Sequence, residues 1–306
     1  MVPQPNSLPR TWITILAGVS LLTLALSGCG GTASPEASAT TAAPTIDALV
    51  DIGDGRELKL VCRGTGSPTV LFVSGTRGAA DEWTTLQPDA AAGTVSTFDA
   101  VSQTTRACAY DRPGTTLDSG ERTTSTTVPQ PTTAGRSADD LHALMDATDQ
   151  GGPYVVVGLS WGGMIAQQFA RRYSDEVVGL VLLDSASEYL QTTFSAQQWS
   201  MWMEAVANSL DTTSSEVPSY ESSIVELRAT PGLPAMPTVV VSSDQPWDLQ
   251  VTPGESTWPG WVAAQAELAR ALDAKHITDP DSGHGIPVEQ PALVTEAVLD
   301  VVSAAR

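Results

Sequence analysis

Gly158-Leu159-Ser160-Trp161-Gly162 is a G-x-S-x-G set, lying between the apolar run YVVVG and the helix-patterned segment MIAQQFARRY. A strand turning sharply into a helix here would hold Ser160 in a strained backbone conformation at the carboxyl edge of a sheet. Glycines on either side permit the close chain approach that such a turn requires. The hydroxyl then projects into open space, and the following backbone N–H points toward a substrate oxygen. That arrangement suits nucleophilic attack on a carbonyl carbon. A tight turn with a passive serine is the plainer alternative.

A hydroxyl near its free pKa is a weak nucleophile, so Ser160 needs a base. His142 falls inside a helical pattern, where a solvated side chain is expected. His276 falls in the run AKHITD, read as a last strand, where a packed or edge histidine is expected. His284 sits in a Ser-Gly-His-Gly loop just past that strand and is the expected base. An acid must orient it. Asp184 directly follows the apolar run GLVLL, which places its carboxylate at the same sheet edge; the alternative is a strand-end aspartate bonded to backbone amides.

The elements that would position these groups can be read from apolar patterning. Thr69 to Val73, Tyr154 to Gly158, Val177 to Leu183 and Thr238 to Val241 are continuous apolar runs, as in strands buried on both faces of a parallel sheet. Arg106 to Tyr110 is a weaker fifth candidate. The stretch ALVDIGDGRELKLVCRG reads as a hairpin around Gly53-Asp54-Gly55. Helical patterns begin at Ser137, after Ser160, over 261–272 and over 291–303, the last opening on a proline. Strands alternating with helices indicate an α/β parallel sheet. Residues 186–235 break that rhythm with two amphipathic helical patterns. One carries Trp199, Trp202, Met203, Val206 and Leu210, the other Tyr220, Ile224 and Leu227. This insertion reads as a helical cap.

Composition narrows the partners. The 306 residues include 35 acidic and 15 basic side chains, a formal net charge of −20. Phosphate backbones attract stripes of Lys and Arg, and only Lys59 and Lys275 are lysines, so a nucleic-acid partner is not expected. Three histidines and three cysteines, with neither C-x-x-C nor H-x-x-x-H spacing, predict no metal site, and the chemistry above needs no cofactor.

The N-terminal end reads as an address. Arg10 precedes an apolar run from Thr11 to Leu26, at or below the length needed to span a bilayer, and Leu26-Ser27-Gly28-Cys29 resembles a bacterial lipobox. The expectation is a lipoprotein signal over 1–28, lipid attachment at Cys29, an Ala/Ser/Thr/Pro-rich tether over 29–46 and a folded domain over 47–306. Ordinary secretion or an uncleaved anchor are the alternatives. Export would place Cys62 and Cys108 in an oxidising compartment, where they can pair; two buried thiols are the alternative.

Taken in order, five segments resemble the α/β-hydrolase fold superfamily over roughly residues 45–305. They are Thr69 to Val73 with Ser74-Gly75-Thr76; Ala109-Tyr110-Asp111-Arg112-Pro113-Gly114; GLSWGG; Gly179 to Asp184; and Ser282-Gly283-His284-Gly285-Ile286 with Gln290-Pro291. The resemblance implies a mostly parallel central sheet flanked by helices. It implies oxyanion donors at the Thr76 and Trp161 amides, although Ser74 stands where the family commonly has histidine. For the acid it leaves Asp184, Asp244 and Asp248 open, because Pro246 occupies the commonest offset. Asp111 and Arg112 would brace loops. The strands holding Cys62 and Cys108 would be neighbours, which supports a disulfide. The implied function is cleavage of carboxylic esters, with a small, partly apolar ester as substrate. Ser-Trp-Gly also resembles the elbow of proline iminopeptidases, for which Glu188, Glu204, Glu221 or Glu226 would hold a free amino terminus. A non-catalytic surface lipoprotein retaining the fold is the reading from another class.

Overall fold

The computed structural model describes residues 44–208, 215–247 and 256–306. The expected signal over 1–28, the lipid site Cys29, the tether up to residue 43, Leu210 and Asp248 all lie outside the described residues.

Eight strands form one sheet: β1 (Ile46–Asp51), β2 (Glu57–Arg63), β3 (Thr69–Val73), β4 (Ala107–Tyr110), β5 (Tyr154–Leu159), β6 (Val177–Leu183), β7 (Thr238–Val241) and β8 (Lys275–Ile277). Their spatial order is β1-β2-β4-β3-β5-β6-β7-β8. The hairpin β1–β2 and the β2–β4 pair are antiparallel, and every other pairing is parallel. The hairpin turns on Gly53, Asp54 and Gly55, all with positive φ, so the chain reverses where glycine makes that conformation inexpensive. Ile46, placed at the end of the tether by the sequence reading, already pairs with Cys62 in β1.

All residues of β3, β4 and β5 are buried, which is why their sequences lack polar alternation. Side chains divide between two apolar layers. Leu71, Val73, Val156, Leu180 and Leu182 join Met164, Ile165 and Phe169 on one face. Val70, Phe72, Val155, Val157 and Val181 join Phe98, Val294 and Val298 on the other.

The helices are α1 (Thr97–Ser102), α2 (Ala134–Ala147), α3 (Trp161–Arg172), α4 (Leu190–Thr193), α5 (Ala196–Asn208), α6 (Tyr220–Ala229), α7 (Trp258–Ala271), α8 (Ile286–Glu289) and α9 (Pro291–Ala304). Helix α2 starts at Ala134 rather than Ser137. Thr133 caps it by accepting from the Arg136 amide, and Ser223 and Glu226 accept from the Ala134 and Gly135 amides. Helix α7 starts at Trp258, with Pro259 in its first turn. The short helices α1, α4 and α8 carry too few residues for a periodic signal. In the cap segment, α5 and α6 supply the two expected apolar faces, with Trp199, Trp202, Tyr220, Ile224 and Leu227 buried. His142 is not simply solvated: its ring stacks on Tyr173 at 3.8 Å and hydrogen-bonds Glu176 at 3.0 Å.

Cys62 and Cys108 face each other across β2 and β4 with Cα atoms 4.1 Å apart and are joined by a disulfide. It closes a loop of 46 residues, for which a bridge contributes about 2–4 kcal/mol.

Candidate active site

Strand β5 ends at Leu159 and helix α3 begins at Trp161, so Ser160 alone makes the turn. Its φ of 52° and ψ of −120° lie where a side chain is strained. The neighbours explain why the chain accepts this. A Cβ on Gly158 would stand 2.5 Å from Gly162 O, and one on Gly162 would stand 2.1 Å from Val73 O. Only glycine at both positions lets α3 pack against the ends of β3 and β5. Ser160 N donates to Leu183 O at 3.0 Å, which fixes the turn to β6.

Asp184 follows β6 and is fully buried. Four donors surround its carboxylate. The Ser243 amide (3.1 Å) and hydroxyl (3.0 Å) reach Oδ1; Trp247 Nε1 (2.8 Å) and His284 Nδ1 (2.7 Å) reach Oδ2. With Nδ1 donating to a carboxylate, His284 keeps Nε2 as its basic nitrogen. Trp247 also packs against the imidazole, with ring centroids 3.8 Å apart and the planes tilted by 34°.

Among the expected acids, the structure brings Asp184 to the imidazole and turns Asp244 to other work. Asp244 accepts from the Asp281 and Ser282 amides at 3.2 and 2.9 Å, bracing the loop that leads to His284. Glu289 braces the same loop from the Gly283 amide and the Ser282 hydroxyl. His276 bonds Ser242 at 2.6 Å, as a packed strand histidine. No hydrogen bond joins Ser160 to His284 in this structure, though both border one cavity; such contacts are commonly long outside a substrate complex.

The loop after β3 forms the opposite wall. Ser74, in the place of the family histidine, donates to Ala79 O at 2.7 Å and accepts from Trp83 Nε1 at 2.9 Å, so it is a buried structural hydroxyl. Arg112 donates to the Ser74 and Gly75 carbonyls at 2.9 and 2.6 Å and makes a two-pronged pair with Glu216 at 2.6 and 2.9 Å. Glu216 also accepts from the Arg77 amide at 2.8 Å. Burial opposes the Arg112 charge, but Glu216 outweighs it and the guanidinium is held above its ordinary pKa. The loop-bracing role expected of Arg112 is thus realised through Glu216, a cap residue with no sequence motif. Asp111 accepts from the Ala80 amide at 2.8 Å.

A cavity of about 460 Å³ opens over Ser160. Gly75, Thr76, Arg77 and Glu82 border it on the loop side, and Trp202, Val206 and Tyr220 on the cap side. Trp247, Trp261 and His284 line it as well. The four cap acids stand elsewhere. Glu188 pairs with Arg171, Glu226 binds the Gly135 amide, Glu221 meets Trp199 Nε1 and Glu204 is exposed. Sequence reasoning missed Trp247 and Glu82. Neither belongs to a motif, and both matter only because loops far apart in the chain meet here. Among the described residues no group of three His, Cys, Asp or Glu is placed to hold a metal ion.

Residues 68–270 match the family model described as the alpha/beta hydrolase fold. Among solved structures, the chain is similar to a thermophilic esterase from Thermogutta terrifontis. That match has a TM-score of 0.54 at 20% identity and covers 86% of this chain and 99% of the esterase. It is also similar to Est816, described as an N-acyl homoserine lactone degrading enzyme, with a TM-score of 0.56 at 20% identity, over 83% of this chain and 100% of that one. A curated relative, a probable transporter of Hormonema carpetanum, is 28% identical over 52% of this chain. The matched stretches span only 22% and 15% of the length of the first two curated relatives. The match of more than half the chain to the family model, on top of the sheet order and the Ser160 turn, settles its affiliation: the chain belongs to the alpha/beta hydrolase fold family.

Proposed function

We propose that this chain is a serine hydrolase that cleaves carboxylic esters, with Ser160 as nucleophile, His284 as base and Asp184 as orienting acid. The observation that carries the reading is the 2.7 Å contact between His284 Nδ1 and the buried Asp184 carboxylate, at the edge of the cavity that Ser160 enters. His284 Nε2 takes the Ser160 proton as Oγ bonds to the ester carbon. The oxyanion so formed is held by the Thr76 and Trp161 amides, neither of which is engaged by another group among the described residues. His284 then gives the proton to the leaving alkoxide and the carbon–oxygen bond breaks. Water, deprotonated by His284, attacks the acyl-enzyme; collapse releases the acid and restores Ser160. The aromatic walls favour a partly apolar substrate.

Hydrolysis of p-nitrophenyl butyrate, compared with amino-acid p-nitroanilides, tests this reading. Turnover of the ester that disappears in Ser160→Ala supports it; preference for the anilides would favour a peptidase, although the cap acids suggested for that role stand away from the cavity.

The same proposal places the enzyme outside the cytoplasm, tethered through a lipid on Cys29. The lipobox-like Leu26-Ser27-Gly28-Cys29 and the Cys62–Cys108 pair support it. No helix among the described residues is long and apolar enough to cross a membrane. Cys29→Ser should release the protein from membranes, and unchanged retention would contradict the anchor.

A further inference from the structure

Among the described residues Glu82 is the one carboxylate bordering the cavity, and the ester chemistry above gives it no task. It stands in a 3-10 turn, Ala80–Trp83, that follows the β3 loop. Its Oε2 accepts from the Gly75 amide at 2.8 Å, and Oε1 has no hydrogen-bond partner among the described residues. Oε1 is also close to the nucleophile. A Cβ built on Gly75 would stand 3.5 Å from Ser160 Cβ and 3.6 Å from Glu82 Oε1, so both border the same small space.

The rest of the cavity is unusually aromatic. Tyr220 and Trp202 are in contact with centroids 4.7 Å apart, Trp202 and Trp261 6.2 Å, and Trp261 and Trp247 4.8 Å. Ring faces carry negative potential and attract organic cations, most strongly when a carboxylate is nearby. A metal cation is a poor match, because one carboxylate among indoles offers too few oxygen ligands. The chain's net charge of −20 raises the local concentration of cations and lowers that of anions. Arg77 also borders the cavity and has a partner of its own.

We propose that Glu82 and the aromatic wall form an ammonium subsite, so that the preferred substrates are esters carrying a quaternary ammonium group a few bonds from the scissile carbonyl. This rests on the serine-esterase reading. Burial pushes the Glu82 carboxyl above its ordinary pKa, against the pull of the Gly75 amide and Arg112.

The test compares butyrylcholine with 3,3-dimethylbutyl butyrate, which has the same shape without the charge, on the full-length protein. We expect kcat/KM to favour the choline ester by at least about tenfold. In Glu82→Gln, which keeps an oxygen for the Gly75 amide, that ratio falls toward one, whatever happens to the absolute rates. A second measurement needs no variant: tetramethylammonium chloride should inhibit p-nitrophenyl butyrate hydrolysis competitively, where sodium chloride of equal ionic strength does not. Equal or slower cleavage of the choline ester, a ratio unchanged in Glu82→Gln, or no selective inhibition by tetramethylammonium each overturns the subsite. If Ser160 still reacts with a fluorophosphonate probe, the esterase reading survives that failure. If it does not react, both fall.

Discussion

Trp247 and His284 pack against each other, ring centroids 3.8 Å apart and planes tilted by 34°, and their N–H groups converge on one atom, Asp184 Oδ2, at 2.8 and 2.7 Å. The indole therefore fixes the imidazole plane and shares the carboxylate that orients it. A buried carboxylate that loses one donor is less well satisfied, at a cost of about 1–3 kcal/mol. Trp247→Phe keeps an aromatic ring over His284 but removes the N–H. We expect kcat for p-nitrophenyl butyrate to fall about tenfold with a smaller change in KM, and Trp247→Ala to fall further in kcat. A role limited to lining the cavity would appear in KM instead.

The acid assignment separates Asp184 from Asp244. Asp184→Asn leaves the shape but removes the charge that holds His284 in its tautomer, and turnover should drop by about four orders of magnitude. Asp244→Asn weakens only the bracing of the Asp281 and Ser282 amides, and turnover should stay within about tenfold of the unaltered enzyme. Steady-state kinetics on the two variants would reveal a reversed order.

Glu82 predicts a pH dependence of substrate preference. Burial raises its pKa and Asp118 adds to this, while the Gly75 amide, Arg112 and His284 pull it down, leaving a net rise. As pH increases through that raised value, the carboxyl gains its charge and attraction for ammonium grows. The ratio of kcat/KM for butyrylcholine over 3,3-dimethylbutyl butyrate should therefore climb with pH, above the usual range for glutamate. In Glu82→Gln it should stay flat. Taking a ratio cancels the ionisation of groups that act on both esters.

Arg112 and Glu216 form a buried pair that holds the Ser74 and Gly75 carbonyls. Removing one member strands the other's charge, so Glu216→Gln or Arg112→Leu should lower stability by about 3–5 kcal/mol in denaturant unfolding. The pair also shapes the loop that carries Thr76. In whatever fraction stays folded, fluorophosphonate labelling of Ser160 should slow.

Much of this architecture is legible in the amino-acid sequence, for identifiable reasons. The buried strands β3, β5, β6 and β7 have apolar runs without alternation, and G-x-S-x-G marks a turn whose two glycines leave no room for a Cβ. Asp184 was legible because it ends an apolar strand. Helix α2 was placed three residues late because its first turn is held by Thr133, Ser223 and Glu226, two of them in the distant cap. Trp247 and Glu216 were invisible for a similar reason: each bonds side chains tens of residues away. Glu82 bonds the nearby Gly75 amide but matters because it borders the cavity with Ser160, and no local pattern records such meetings. Ser74 departs from the family's histidine, and its structural bonds to Ala79 and Trp83 show why the loop keeps its course.

The most direct test of the account is covalent. The protein, treated with a fluorophosphonate probe and digested, should give one adduct per chain on the peptide containing Ser160. Labelling should be absent in Ser160→Ala and slowed by orders of magnitude in His284→Ala. A folded protein that forms no adduct, or forms it at another residue, would contradict the central claim that His284 and Asp184 make Ser160 a nucleophile.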